Sequence, residues 1–311
     1  MEFIRKIKDL DLDVDSVEEL KGSFASKIYR IRAQNKDKQP LSLIYKIFQE
    51  GRDQEVEIYQ KLSQHLEKWM PPVHAMFLEE PRSILIEDMG ASLKAEKHSE
   101  QVEYYNVQLV LKALADLHSS SRVKVEKWMT EGLITPYPYS AEWAVWTIEQ
   151  MKRLNESDSM FQVDKWLMPL TEKIEQFYPQ YPSAILAPLT VTHGDPHLDN
   201  LFVHQGQAIF IDWEWVHVAS PVRDISILLQ DFDEEAIRQN IIDEYYDLLM
   251  ESGYPLKKEQ YHHDLKWTLF DNTLMMLGWD IELYFMNQLE KKKLERKLQF
   301  KLKHLLDFTD I

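Results

Sequence analysis

Hydrophobic and polar positions change rhythm several times along the chain. After a charged lead-in, residues 26–33 and 41–48 read as two strands separated by the polar turn 34–38, a predicted hairpin. Residues 52–66 shift to helical spacing with Val56, Tyr59 and Leu62 on one side, and Pro71 and Pro72 stop whatever follows. A further apolar run at 83–86 leads to Glu87-Asp88-Met89-Gly90, where the pattern changes. From about residue 99 onward the spacing is mostly helical, with Val107, Val110, Leu111, Leu114 and Leu117 in a stripe expected to be buried. Residues 141–154 and 163–177 predict two more helices, and the proline-punctuated 178–188 predicts a loop. A strand-rich first part and a larger helical second part predict an α+β architecture of two lobes, residues 1–90 and 91–311, with the boundary near 88–92.

One passage interrupts the helical half. Leu201-Phe202-Val203 and Ala208-Ile209-Phe210-Ile211 flank His204-Gln205-Gly206-Gln207, which predicts a hairpin. Pairing Val203 with Ala208 places Asn200 opposite Ile211 or Asp212, so an amide and a carboxylate share the open end. Asp195 precedes them in a loop containing Gly194 and Pro196. Hard oxygen ligands of this kind suit Mg²⁺. Two carboxylates together make sense if one binds a divalent ion and the other accepts a proton from a hydroxyl. A polar hairpin with solvated turn carboxylates fits the same residues, and register alone does not decide between the two.

Composition narrows the chemistry. The chain has 311 residues, 36 Lys+Arg against 52 Asp+Glu, a net charge of −16 and 44% hydrophobic residues, enough to bury a core. No stretch approaches the roughly 18–20 apolar residues that span a bilayer, and the lead-in lacks a secretion signal's apolar core, so a cytoplasmic protein with no membrane role is expected. The absence of cysteine removes disulfides, thiolate zinc sites and cysteine nucleophiles. Net negative charge disfavours nucleic acid as a partner and favours a cationic small molecule. His193 and His197 are four apart, but Pro196 prevents a helix there, so they are not expected to form a zinc pair.

The run His193-Gly194-Asp195-Pro196-His197-Leu198-Asp199-Asn200, followed by Ile211-Asp212-Trp213-Glu214, resembles the catalytic and metal loops of the aminoglycoside phosphotransferase and choline kinase family, which has a protein-kinase-like fold. The resemblance implies a kinase that moves the γ-phosphoryl group of ATP, or GTP, to a hydroxyl of an amine-bearing small molecule. It makes Asp195 the catalytic base and Asn200 and Asp212 the Mg²⁺ ligands. Lys46 would pair with nucleotide phosphates, and Glu55, in preference to Glu57, would fix Lys46. Ser23 and Ser26 would belong to the nucleotide-covering turn that opens at Gly22, Glu87 and Met89 to the strand that holds the purine, and His193 and Asp224 to the support of the catalytic loop. Trp213-Glu214 stands where protein kinases have Phe-Gly, so a switch based on that phenylalanine is not carried over.

Acceptor contacts are less legible. Asp199, Glu214, Asp231, Asp271 and Asp280 are the candidate acids for a cationic acceptor. Trp267, Phe270, Leu274, Leu277, Ile281 and Tyr284 form a helical stripe that reads as core, with Asp271 and Asp280 flanking it toward a cleft or water. The run Asp231, Asp233, Glu234 and Glu235 fits either an amine-binding edge or a helix N-terminal turn. Nine tryptophans and 14 tyrosines allow an aromatic cage for a quaternary ammonium, as well as ordinary packing. Residues 288–306 predict a basic amphipathic helix docked through Leu294, Leu298, Leu302 and Leu305. Two other functions compete: a choline-like or other metabolite kinase, and a nucleotide-binding regulator without turnover, against which Lys46, Asp195, Asn200 and Asp212 together weigh.

Overall fold

The computed structural model describes residues 2–20, 26–96 and 104–308. The chain opens with α1 (Glu2–Lys8), β1 (Asp13–Leu20), β2 (Ser26–Gln34) and β3 (Pro40–Phe48), then α2 (Gln54–Leu66), β4 (Val73–Phe77), β5 (Ser83–Glu87) and the single turn α3 (Leu93–Glu96). It continues through α4 (Tyr104–Arg122), α5 (Val125–Thr130), α6 (Glu142–Ser157), α7 (Asp164–Ala184) and β6 (Thr190–Thr192). The hairpin β7 (Leu201–His204) and β8 (Gln207–Phe210) is followed by β9 (His217–Ala219), α8 (Val222–Leu228), α9 (Glu235–Glu251), α10 (Lys258–Phe285) and α11 (Lys291–Leu306). This is the α+β composition expected. The chain packs as two units, Met1–Ala113 with Leu198–Val216, and Leu114–His197 with His217–Ile311. The β7–β8 hairpin thus packs with the first unit although it lies far beyond residue 90.

In the first unit five antiparallel strands run in the order β1-β2-β3-β5-β4. Alternation puts Tyr29, Ile31, Ala33, Leu43 and Tyr45 on one face, where Phe3 and Ile7 of α1 cover them. Phe3 stacks on Tyr45 with ring centroids 4.9 Å apart. The lead-in is therefore more than a charged segment: its few apolar side chains dock α1 on the sheet, and pairing with β2 holds the acid-rich β1 in place. Tertiary contact overrides weak local preference here. Asn35 shapes the predicted β2–β3 turn, its Oδ1 accepting from the amides of Asp37 and Gln39 at 3.0 and 2.9 Å. Because β3 lies between β2 and β5, Lys46 faces Ile28 on one side and Ile84 on the other. The β7–β8 hairpin has the predicted register, Val203 opposite Ala208, and the Phe210 amide ties it to the Trp69 carbonyl at 2.8 Å.

The second unit packs α6, α7, α10 and α11 around Phe177, whose ring lies 4.8 Å from Trp267 and 4.3 Å from Phe270. The loop predicted for 178–188 is corrected: α7 continues to Ala184 through Pro179 and Pro182. Both prolines sit on the exposed side of the helix, while Tyr178 and Tyr181 are buried beside Phe177. Aromatic burial outweighs the backbone hydrogen bonds that proline removes.

A second correction concerns Asp271 and Asp280, which face neither a cleft nor water. Each is buried, because α10 is packed by α6, α8 and α11 and so has neighbours beyond the width of its apolar stripe. Asp271 accepts from the hydroxyls of Tyr137 and Tyr178 at 2.7 and 2.6 Å. Asp280 accepts from Lys297 and Lys301 at 3.0 and 2.6 Å. The predicted leucines dock α11, but Lys301 goes inward with them. Burial would raise the Asp280 carboxyl, yet Lys301 and Lys297 hold it below the usual range. Asp280→Ala strands a buried ammonium and is expected to lower stability to urea by about 3–5 kcal/mol. In the wild type the pair's contribution is present above about pH 4 and fades as the pH falls through the depressed carboxyl pKa. An Asp280→Ala protein within about 1 kcal/mol of wild type would show that α11 docks through its leucines alone.

Candidate active site

The first unit holds a charge triad in which Lys46 and Glu55 are buried and Asp212 is half-buried. The Lys46 ammonium donates to Glu55 Oε2 and, at 3.0 Å, to Asp212 Oδ1. β3 presents the lysine, the first turn of α2 presents the glutamate, and the end of β8 delivers the aspartate. Glu57 turns away and pairs with Arg82 at 3.2 Å. Two acidic side chains compete for one ammonium where water is scarce. Burial pushes the Glu55 carboxyl up to about 8, against the pull of Lys46, with Asp212 adding to the rise. Burial acts to lower the Lys46 pKa, but Glu55 and Asp212 outweigh it and raise the pKa, keeping the ammonium charged.

Asp212 has φ of +64° and ψ of +58°, a left-handed backbone that a residue with a Cβ rarely adopts. Strain of this kind persists where the surroundings over-determine it, and here a buried 3₁₀ turn at Trp213–Trp215 follows at once, with Glu214 half-buried within it. The Ile211 amide donates to the Asn200 carbonyl at 3.0 Å, so Asn200 and Asp212 do end on the same side of the hairpin. Asn200 is buried. An amide oxygen and a carboxylate are hard donors that fit a divalent ion such as Mg²⁺. Asp199 pairs with Lys94 of α3 at 2.5 Å.

Other nucleotide candidates lie on the sheet. Ser26 opens β2 and is buried, whereas Ser23 falls outside the described residues. Glu87 closes β5, and its amide donates to the Pro72 carbonyl at 2.9 Å. Met89 follows, buried. Asp88, between them, was not singled out in the sequence. It accepts from Arg30 Nε at 2.8 Å, Ser42 Oγ at 2.5 Å and the Gly90 amide at 3.1 Å. Burial pushes its carboxyl up, but these donors outweigh that and lower it.

In the second unit Asp195 follows Gly194, whose φ of +90° makes the tight turn. The Asp195 amide donates to His193 Nδ1 at 3.2 Å, and His197 Nε2 lies 3.3 Å from Asp195 Oδ2. Asp224 fastens the loop, accepting from the amides of His193 and Gly194 at 2.8 and 2.9 Å. His118 Nε2 approaches the same carboxylate at 3.0 Å, and its Nδ1 lies 2.5 Å from the Tyr245 hydroxyl. A carboxylate only accepts, so Nε2 carries a proton directed at Asp224. Burial would raise Asp224, and these donors together lower it. His118 and Tyr245 were missed in the sequence because each sits inside a helical apolar pattern. Arg223 was missed beside Asp224: its Nη1 donates to the Gly194 carbonyl at 2.9 Å and its guanidinium lies 4.1 Å from the Tyr137 ring centroid. Of the acceptor candidates, Asp271 and Asp280 are held internally as described above. Asp231 ends a short 3₁₀ turn, and its charge opposes, without cancelling, the lowering of the Lys301 pKa by burial.

With this geometry in hand the comparisons are informative. The sequence profile of the phosphotransferase enzyme family matches residues 16–254. The chain belongs to that family, and its class is that of a small-molecule kinase. No curated protein matches it. Among solved structures, choline kinase LicA from Streptococcus pneumoniae aligns at 14% identity over 99% of each chain, with a TM-score of 0.59. Choline kinase from Cryptosporidium parvum aligns at 12% identity over 97% of this chain and 90% of that one, with a TM-score of 0.65. The GDP and kanamycin complex of APH(2")-IIia aligns at 12% identity over 97% of this chain and 98% of that one, with a TM-score of 0.61. These likenesses establish the protein-kinase-like fold. No helix among the described residues is long and apolar enough to cross a membrane.

Asp224→Asn keeps the volume of the brace but turns an N–H₂ toward donors. Turnover is expected to fall on the order of 10²-fold through loosening of the 193–195 turn. Nucleotide affinity, measured by titration, is expected to stay near wild type. Equal losses in both would assign Asp224 a general folding role.

Proposed function

We propose that the protein is a Mg²⁺-dependent kinase that transfers the γ-phosphoryl group of ATP, or GTP, to a hydroxyl of an amine-bearing small molecule in a reducing cytoplasm. The observation that carries this reading is the triad in which half-buried Asp212 meets the buried pair Lys46 and Glu55. A desolvated ammonium held between two carboxylates is a poor stabiliser of the fold but a ready partner for phosphate. Lys46 pairs with nucleotide phosphates, and Glu55 keeps its Nζ in position. The backbone around Glu87 and Met89 holds the purine, and Ser26, with Ser23, covers the phosphates. Asn200 and Asp212 hold the divalent ion, which when bound neutralises charge on the phosphate oxygens. Asp195 orients the acceptor hydroxyl and takes its proton as the oxygen bonds to the γ-phosphorus and the bond to the nucleoside diphosphate breaks. His193 and Asp224 fix the turn from which Asp195 acts. Asp199 and Glu214 are the acids retained for the acceptor's amine; the internal hydrogen bonds of Asp271 and Asp280 make them supports.

One observation favours an amino-alcohol acceptor of the choline type within this reading. Trp143, Trp146 and Trp279 are each half-buried, with centroids 5.6, 5.3 and 6.3 Å apart. A Cβ at Gly278 would lie 2.4 Å from the Trp146 ring, so glycine there is what lets the indole lie against α10. Clustered indole faces attract alkylammonium groups.

Nucleoside diphosphate release is the measurement that tests the reading, with Mg-ATP and Mg-GTP across aminoglycosides, choline, ethanolamine, homoserine and sugar amines. One acceptor is expected to turn over, and Asp195→Asn to lower that rate by about 10²–10⁴-fold with nucleotide binding intact. Nucleotide binding with no turnover across the panel and a metabolite extract would favour a regulator. If choline or ethanolamine is the acceptor, Trp146→Ala is expected to raise its KM about tenfold or more with kcat little changed. An unchanged KM would return the indoles to packing.

A further inference from the structure

A cavity of about 240 Å³ opens in the second unit between α11 and the segment that leads into α9. Its wall brings together Arg238, Lys293, Arg296, Lys297 and Lys301, five cations in a chain whose net charge is −16. Lys293, Lys297 and Lys301 recur every four residues, a spacing at which like charges on a helix repel. Asp280 answers Lys297 and Lys301, and Glu235 lies 3.8 Å from Arg238. Lys293 and Arg296 meet no carboxylate within the 4 Å reach of an ion pair among the described residues. Arg238 is buried, and its Nη1 donates to the carbonyls of Leu229 and Phe232. Burial lowers the Arg238 pKa, and Glu235 and Asp233 offset that only in part. Lys301 is in the same position, its burial only partly offset by Asp280. The positive charge gathered here exceeds what the fold supplies to balance it.

We propose that this cavity binds a small phosphate-bearing anion through Lys293, Arg296, Lys297 and Arg238. A phosphate group offers three or four oxygens and more than one negative charge, which matches several ammonium and guanidinium donors better than a single carboxylate does. Gln230, Asp233, Phe232 and Phe300 complete the wall, so one acid stands against the five cations, and the Phe300 ring, its centroid 5.5 Å from the Arg238 guanidinium, gives an organic substituent an apolar face. The site shares no residue with those assigned to nucleotide, metal or acceptor, and it stands whether or not the kinase reading holds. Inorganic phosphate and an organic phosphate ester would both satisfy it.

Calorimetric titration in the absence of divalent metal tests the proposal, with orthophosphate, pyrophosphate and AMP as probes. The wild type is compared with a Lys293→Ala, Arg296→Ala double variant, whose two positions are exposed, and with Lys303→Ala, which removes an exposed charge of α11 outside the cavity. Pyrophosphate affinity at one site is expected to fall about tenfold or more in the double variant and to hold in Lys303→Ala. Pyrophosphate is also expected to slow amide exchange in α11 of the wild type. Tighter binding of AMP than of orthophosphate assigns an ester; the reverse order assigns the inorganic ion. Wild-type stoichiometry and affinity in the double variant, equal loss in Lys303→Ala, or unchanged exchange in α11 would each overturn the site.

Discussion

The first unit is organised around one ammonium that its surroundings compel to stay charged. Lys46 sits on the middle strand of the sheet, where β2 and β5 exclude water from its stem and leave only the Nζ to be satisfied. Glu55 and Asp212 reach it from a helix and from a hairpin 166 residues away in sequence. Sheet, α2 and hairpin therefore share a single electrostatic requirement. Each alone would tolerate many arrangements, but together they must deliver three charged groups to one point. The arrangement is costly because Lys46 and Glu55 are taken out of water, and the left-handed backbone at Asp212 adds strain. Such a centre is a weak anchor for a fold.

The second unit handles a buried carboxylate in the opposite way. Asp224 is as buried as Glu55, yet it is held below the usual carboxylate range, because two backbone amides and an imidazole donate to it. A carboxylate saturated with donors is rigid, and it holds the 193–195 turn rigid with it. Arg223 works on the same turn from its carbonyl side, donating to Gly194 while its charge rests on the Tyr137 ring. The turn before Asp195 is thus gripped at both amide and carbonyl. Glu55 is raised because one shared ammonium does not offset its burial, and Asp224 is lowered because three donors do.

What was legible in the sequence follows from this. The β7–β8 register could be read because two short apolar runs flank a polar turn, whereas the roles of Asp195, Asn200 and Asp212 were implied by the resemblance of their run. The pairing of Lys46 with Glu55 was implied by the same resemblance, and the two side chains do meet. Asp88, His118, Arg223 and Tyr245 could not be read, since their importance lies in long-range partners: Asp88 meets Ser42 across 46 residues, and His118 meets Tyr245 across 127. Helical periodicity also misled where a helix has neighbours on several sides, as for Asp271 and Asp280. Proline was over-weighted at 178–188, where it lies on the solvent side of a helix fixed by Tyr178 and Tyr181.

The fate of the acidic residues sets the limit on reading an acceptor from charge. A surplus of acids invites the idea of an amine-binding surface, but Asp271 is spent on two tyrosines and Asp280 on two lysines. Asp233 and Glu235 lie at the head of α9, where the helix dipole and Arg238 already account for them. The charge left for a cationic acceptor is therefore far smaller than the net of −16 implies, and recognition must lean on a few local groups. Phosphoryl transfer asks the same geometry of every acceptor, which is why its residues form a recognisable run. An acceptor asks only for a surface that fits it, and helix packing can supply that from almost any set of side chains.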